Sequence, residues 1–332
     1  MKKSTWFLAG LALCAVAIPG LSQAAPLVFE GGDGIGKGKH IVLISGDEEY
    51  RSEEVMPMLG KILSKRHGFK CSVVFSMSKD GTFIDPKNQE SLEGLEALES
   101  ADLMMIATRF RKPAEGMNFV DDYLAKGKPV IGLRTATHGF NGLSGKYARY
   151  NNGYGGEEWK GGFGREVLGE KWINHHGHHG KESTMGVIVE SEKDHPVLRG
   201  IGKWQIWGPT DVYGVRLPLP GDSKPLVLGS VLEGMTPKDK AVSGKKNDPM
   251  MPVVWTKSYQ GKDGTKGRVL TTTMGASEDF IEPGLRRLVI NGVLWALGME
   301  DKITGKENVD VVGRFVQSKF GFRNEKGYWK EK

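Results

Sequence analysis

An apolar run that ends abruptly in polar and basic residues, KPVIGLRTATHGFN between Lys128 and Asn141, constrains the fold more than any other stretch. Residues 129–133 form a short, continuous apolar segment, which is typical of a central strand covered on both faces. The polar residues that follow it at once are Arg134, Thr135, Thr137 and His138. Because ligands of open α/β sheets bind beyond the carboxyl ends of the strands, we expect a binding site at this turn.

Strand patterns alternate with helical patterns through the first half of the chain. The predicted strands are 40–45, 69–75, 103–107 and 129–133, with helical patterns between them. This alternation predicts an α/β fold with a mostly parallel, doubly wound sheet in one domain, residues 39–298. A segment rich in Gly, Trp, Tyr and His, from Gly142 to Trp207, is expected to be a long loop insertion that forms a wall or lid on the crevice. Residues 299–332 are expected to form a tail that packs on the domain.

The first 24 residues have the pattern of a secretory signal peptide. Two lysines precede an apolar segment, and the small residues Ser22 and Ala24 precede the expected cut. A lipoprotein anchor on Cys14 is the alternative, but Leu13 is larger than the residue usually found before a lipidated cysteine. We therefore expect an exported protein, periplasmic or extracellular, with no membrane association after cleavage.

Composition excludes several classes of function. Cleavage would remove two lysines, which takes the formal net charge from +6 to +4 and leaves Cys71 as the single cysteine. Cys71 lies in an apolar strand pattern, so a small core residue is favoured over a nucleophile. Basic residues are not clustered on one segment, which argues against a nucleic-acid partner. Residues 25–38 resemble a phosphate loop, but Gly38 stands where Ser or Thr is required, and we expect a flexible leader.

Polar residues at several predicted strand ends define the candidate site. The turn after residues 129–133 contains no Cys or Ser, so acyl transfer from a nucleophile at this elbow is disfavoured. We predict that one pocket is lined by Asp47, Glu48, Arg109, Arg134, His138 and Glu278. Of these, Glu48, His138 and Arg134 are predicted to be catalytic, because Glu48 and His138 could supply the two protonation states that acid/base chemistry needs.

Four of the eight histidines lie in the segment WINHHGHHG, residues 172–180. An extended backbone would place His176 and His178 on one face, whereas a helical turn would group His175, His178 and His179. Either set could hold a divalent metal with a carboxylate such as Glu170 or Asp211; an acid/base, hydrogen-bonding or merely solvated loop is the alternative. The predicted substrate-binding residues here are Trp172, His175, His176, His178 and Asp211, with His176 and His178 as metal candidates.

Charge separates the metal interpretation from the alternatives. Arg134 and His138 would already concentrate positive charge near these histidines. A metal therefore requires Asp211, Glu48 or Glu278 at ligand distance, about 2.0–2.2 Å for zinc. Without such a carboxylate the histidines would serve as hydrogen-bond donors to a sugar or an anionic substrate, which is the role we expect.

Several stretches together resemble the ThuA-like family, named for trehalose utilisation. They are SGDEEYRSEE, KPVIGLRTATHGF, INHHG, His195-Pro196 in DHPVLRGI, Asp211 and Tyr213 in TDVY, MPVVWTKSY, GRVLTTTMG and RRLVINGVLWALG. The resemblance covers about Lys39 to Gly298. The chain departs from many members of the family at Arg134, where they carry His, and at Val212, where they carry an acidic residue.

The resemblance implies a class I glutamine amidotransferase-like, or flavodoxin-like, α/β fold without the glutamine-hydrolysing cysteine. It also implies a role in the metabolism of trehalose, a related glycoside or a keto-sugar. The expected partner is a small-molecule carbohydrate, and the expected cofactor is none or a divalent metal. A non-catalytic carbohydrate-binding or scaffold protein on the same fold is the alternative function.

Overall fold

The computed structural model describes residues 26–323, so the predicted signal peptide lies outside the described residues. Its strands are β1 (Leu27–Phe29), β2 (His40–Gly46), β3 (Lys70–Phe75), β4 (Leu103–Thr108), β5 (Val130–Leu133), β6 (Asn174–His175), β7 (Thr184–Ile188), β8 (Trp207–Gly208), β9 (Tyr213–Gly214), β10 (Lys224–Val231), β11 (Met251–Gln260) and β12 (Lys266–Thr272). Its α-helices are α1 (Ser52–His67), α2 (Met117–Ala125), α3 (Gly162–Glu166) and α4 (Pro283–Ala296).

Ten of these strands form one sheet in the order β1-β3-β2-β4-β5-β12-β11-β10-β7-β8. The five central strands β3, β2, β4, β5 and β12 run parallel to one another. Antiparallel strands extend the sheet at both edges. The predicted α/β class with a parallel, doubly wound centre is confirmed. The strand order reverses between β2 and β4, and such a reversal opens a crevice at the carboxyl ends of the two strands.

Helices cover both faces of the sheet. Successive side chains of a strand point to opposite faces, so a continuous apolar run makes both faces apolar and both must be covered. Ile41 and Leu43 pack in one apolar cluster with residues of α1 and α4. Val42 and Ile44 pack in a second cluster with residues of α2 and α3. Each fully buried aliphatic side chain contributes about 1.5–3 kcal/mol relative to an exposed one, which explains why a strand buried on both faces is a continuous apolar run.

The leader, which we expected to be flexible, instead contains β1. Leu27 pairs opposite Val73 and Phe29 opposite Cys71, antiparallel to β3. The Phe29 ring lies against α1 at Gly60, where an added Cβ would be 3.0 Å from the ring. Edge pairing and this apolar contact hold a segment whose glycine content predicted mobility. Within residues 26–323, no helix is both long and apolar enough to cross a membrane.

Candidate functional site

Charged side chains fill the crevice between β2 and β4. Glu48 follows β2, and its carboxylate oxygens lie 2.6 Å from Arg109 Nη1 and 2.7 Å from Arg111 Nη2. The Arg111 side chain is fully buried and also donates to the carbonyl of Gly46. Burial raises the pKa of the Glu48 carboxyl, while Arg111 and Arg109 oppose that change. Glu48 and Arg109, both predicted site residues, are thus paired with each other at the crevice.

The central turn places Arg134 directly after β5, at the elbow position where a nucleophile would stand. Its φ is 43°, in the left-handed region, which costs a non-glycine residue on the order of 1–3 kcal/mol. The guanidinium donates to the carbonyls of Asp211 (2.8 Å) and Thr273 (2.7 Å) and to the Asp211 carboxylate (2.8 Å). The rings of Tyr213 and Tyr50 lie 3.7 and 4.4 Å from its central carbon. Arg134 is therefore a fixed, buried cation that holds Asp211.

Local pairing in the insertion brings histidines to Asp211. Strand β6 pairs antiparallel with β9, which puts His175 opposite Tyr213, two residues beyond Asp211. Gly177 permits the close approach of the two segments, since an added Cβ would lie 3.2 Å from the Cβ of Asp211. The turn that follows returns His179 to the same carboxylate.

Asp211 is the centre of the resulting cluster. His175 Nδ1 lies 2.7 Å from Asp211 Oδ2, and His179 Nδ1 lies 3.1 Å from Oδ1. His179 Nε2 lies 3.4 Å from an oxygen of Glu49. Burial disfavours the charged form of Asp211, but Arg134 and the hydrogen bonds from both histidines hold its pKa well below the usual range. The carboxylate is consequently a permanent anion in contact with two imidazoles.

His138 is enclosed by aromatic rings. The centroid of its imidazole lies 4.9 Å from that of Phe110, 5.2 Å from that of Trp172 and 6.0 Å from that of Tyr213. Burial, reinforced by Arg109 and Arg134, lowers the pKa of His138 well below its ordinary value. The ring is therefore neutral near pH 7, and its Nδ1 lies 3.3 Å from the Thr137 hydroxyl.

Other predicted site residues have structural partners. Asp47 accepts hydrogen bonds from the backbone of Glu49 and Tyr50 and from the Thr135 hydroxyl. Glu278 accepts a hydrogen bond from the backbone N–H of Phe320.

The two histidines predicted as metal candidates also have other partners. His176 Nε2 lies 2.9 Å from the carbonyl of Lys246. The side chain of His178 is exposed, and its backbone N–H donates to Glu182. The metal candidates His176 and His178 are thus outside the cluster around Asp211, which His175 and His179 form.

The described part of the C-terminal tail, residues 299–323, covers this cluster, and the rest of the predicted tail lies outside the described residues. Phe320 stacks on Tyr50 with ring centroids 5.8 Å apart and lies 5.1 Å from the ring of His179. Phe322 lies over the guanidinium of Arg109 at 4.9 Å. The backbone N–H of Gly321 donates to the carbonyl of Glu49. The tail is therefore part of the wall of the site.

Sequence reasoning did not assign four residues that the structure places at the site, and it named His179 only in the helical-turn grouping. The four are Glu49, Tyr50, Tyr213 and Phe320. Glu49 and Tyr50 belong to the same charged strand end as Glu48, and Tyr213 lies two residues from Asp211, so proximity in sequence was the available signal. Nothing local distinguishes Phe320 from the other tail aromatics.

The donor set can do two kinds of chemistry. A histidine whose Nδ1–H donates to a fixed carboxylate presents Nε2 as a proton acceptor. Alternatively, His175, His179 and Asp211 each offer one ligand atom, and these three atoms lie within 4.8 Å of one another. Two imidazoles and one carboxylate suit a transition metal such as zinc.

Comparison with known proteins finds a family model and similar solved structures. A family model described as ThuA, trehalose utilisation, matches residues 41–296. A ThuA-like protein from Parabacteroides merdae ATCC 43184 is 18% identical with a TM-score of 0.50, covering 86% of this chain and 98% of that chain. A ThuA-like protein from Bacteroides uniformis ATCC 8492 is 17% identical with a TM-score of 0.48, covering 80% and 93%. No functionally curated protein matches the sequence.

The matched region begins in β2 and ends at the last residue of α4, so it includes every strand of the parallel centre and the whole Asp211 cluster. Family membership suggests a role in trehalose utilisation. The chain belongs to the ThuA, or trehalose utilisation, family.

Proposed function

We propose that this protein is exported and acts on trehalose or a related glycoside or keto-sugar by acid/base chemistry at the carboxyl ends of the sheet strands. The observation that carries the proposal is the contact between His175 and the buried Asp211 beside the ring of Trp172. The family description supports the class of substrate.

His175 is the best placed proton acceptor. Its Nδ1 contacts Asp211 at 2.7 Å, so the carboxylate orients the ring and leaves Nε2 with a lone pair. Its side chain is 37% exposed, so a substrate can reach it. By contrast, Glu48 is held by two guanidinium groups and His138 is enclosed by aromatic rings. These two residues, predicted as the catalytic pair, suit binding and positioning better than proton transfer.

The aromatic wall suits a sugar. The Trp172 ring lies 5.5 Å from the ring of His175 and 5.2 Å from that of His138. Indole faces stack on the apolar faces of sugar rings, and Trp172 is partly exposed at this wall.

Turnover by purified protein tests this function. Trehalose and its keto derivative are incubated with wild type and with His175→Gln, and products are separated by chromatography. We expect His175→Gln to bind sugar and to lose about 10²–10⁴-fold in kcat, the usual contribution of a general acid or base. His178→Gln is the matched control and should be unchanged. Binding without turnover by wild type would favour the non-catalytic alternative, and absence of both would refute the substrate class.

Export has a separate test. The charge and apolar pattern of residues 1–24 supports it. Mass spectrometry of the protein secreted by a bacterial host should give a mature N-terminus at Ala25. An uncleaved N-terminus in the cytoplasm would contradict this part of the proposal.

A further inference from the structure

We propose that His175, His179 and Asp211 bind a divalent transition metal of the zinc class, through both Nδ1 atoms and a carboxylate oxygen. The inference deepens the proposed function and rests on it for its role: a bound ion would lower the pKa of a coordinated water, and the deprotonated water would supply the base in place of His175 Nε2. Metal binding itself is measurable without any sugar.

The distances among the three ligand atoms fit a single bound ion. Ligand atoms about 2.0–2.1 Å from one zinc ion lie roughly 3.4 Å apart in a tetrahedral site. The two Nδ1 atoms already contact Asp211 at 2.7 and 3.1 Å, and all three ligand atoms lie within 4.8 Å of one another. Small side-chain rotations would therefore suffice to admit an ion. Three protein ligands leave one open position, as in catalytic zinc sites.

The two ring nitrogens of His179 both face carboxylates, with Nδ1 toward Asp211 and Nε2 toward Glu49 at 3.4 Å. With a metal on Nδ1, the outer nitrogen Nε2 would keep Glu49 as its hydrogen-bond partner. Histidines that bind metals commonly have such a carboxylate on the other nitrogen.

Ligand type also fits a transition metal. Asp211 contacts both histidines and so supplies the carboxylate that a metal site here requires. Arg134 lies 2.8 Å from Asp211 and Arg109 lies 3.2 Å from Glu49, so both carboxylates near the histidines have a cationic partner. Imidazole ligands select zinc and its neighbours over calcium or magnesium.

Metal titration of tag-free protein tests the proposal. Protein stripped with a chelator is titrated with ZnCl₂ by calorimetry, and the zinc retained after dialysis is counted by elemental analysis. We expect one zinc per chain in wild type. His175→Gln and His179→Gln should each weaken binding at least tenfold, and Glu49→Gln should weaken it with the stoichiometry unchanged. His178→Gln is the matched control and should bind like wild type. Circular dichroism confirms that each variant is folded.

Cobalt substitution gives a second measurement. Co²⁺ at this site should give visible absorption bands that change in His179→Gln and persist in His178→Gln. Failure of folded wild type to retain zinc, or equal weakening in His178→Gln and His179→Gln, would overturn the proposal. Stoichiometric zinc that depends on His175 and His179 would support it even where sugar turnover fails, and that result would count against the proposed function alone. Full sugar turnover by zinc-free protein would refute the role of the ion.

Discussion

Arg134 and Asp211 form an ion pair that is closed off from solvent, with side chains 1% and 0% exposed. Arg134 also donates to two carbonyls, so its two terminal nitrogens hold the turn and Asp211 together. The sequence indicated that a basic residue ends the central strand. It could not indicate that the guanidinium turns inward, because its partner lies 77 residues away in the chain.

Arg134→Met tests how much the ion pair with Asp211 stabilises the fold. Removing one partner of a buried pair typically lowers the free energy of unfolding by about 3–5 kcal/mol. Because the folded-state pKa of Asp211 is depressed, the pair stabilises the fold above the unfolded carboxyl pKa of about 3.9 and loses that contribution as pH falls through the folded pKa. Urea unfolding should therefore show a larger deficit at pH 7 than at pH 3. Lys193→Met, at an exposed pair, should change little. An equal deficit at both pH values would contradict this account.

Glu53 in α1 is a buried acid whose pKa is raised, whereas that of Asp211 is lowered. Neither carboxylate oxygen has a hydrogen-bond partner among the described residues, and burial raises its pKa to about 8. The pKa of a glutamate in the unfolded chain is about 4.3, so Glu53 contributes fully to stability below that pH. Above it, the free energy of unfolding falls by about 1.4 kcal/mol per pH unit until the pH reaches the folded pKa of Glu53. Glu53→Gln removes this proton linkage.

The expected result is that Glu53→Gln becomes increasingly more stable than wild type as pH rises from 5 to 8. Thermal unfolding of both proteins across that range measures the difference, in which the contributions of shared histidines cancel. Glu157→Gln, at an exposed position, should show no pH-dependent difference. A constant gap between wild type and Glu53→Gln would mean that Glu53 is ionised in the folded protein.

At the scale of elements, prediction succeeded where burial alone decides the structure. The four predicted strands correspond to β2, β3, β4 and β5, because each is a run of apolar residues buried on both faces. Prediction failed where pairing between segments far apart in the chain determines the local structure. The two-residue pairing of β6 with β9 selects His175 for Asp211, and the glycines around it allow either an extended or a turned backbone.

The tail segment around Phe320 packs over the candidate site. Phe320 covers His179 and Tyr50, and Arg51 donates to the carbonyl of Gly321. The His179 side chain is 33% exposed, and Phe320→Ala should increase the access of reagents to its imidazole. We expect faster modification of His179 by diethyl pyrocarbonate, followed by peptide mass spectrometry, with His178 unchanged as the internal reference. Equal rates in wild type and Phe320→Ala would show that the tail does not restrict access.

For the whole molecule, strand direction follows from the alternation of strands and helices, and this allowed the sequence to predict a candidate site at the carboxyl ends of the central strands. Which residues make up the site was harder to predict from the sequence. Asp47 and Glu278 stabilise loops and the tail, whereas Glu49 and Tyr50, next to Glu48, contact the Asp211 cluster. Which polar side chains face the crevice depends on hydrogen bonds between segments far apart in the chain.

The tail also raises the question of where the folding unit ends. The family match ends at residue 296, yet Ile303 is 3% exposed and packs in the apolar cluster of α1 and α4. If residues beyond α4 belong to the cooperative core, Ile303→Ala should lower the free energy of unfolding by about 2–5 kcal/mol. Ile281→Ala is the matched control, since Ile281 is 49% exposed, and surface changes of this kind are usually within about 0.5 kcal/mol. Urea unfolding followed by tryptophan fluorescence measures both. Similar small effects in the two variants would place the boundary of the cooperative unit at α4 and leave the tail as a separable cover.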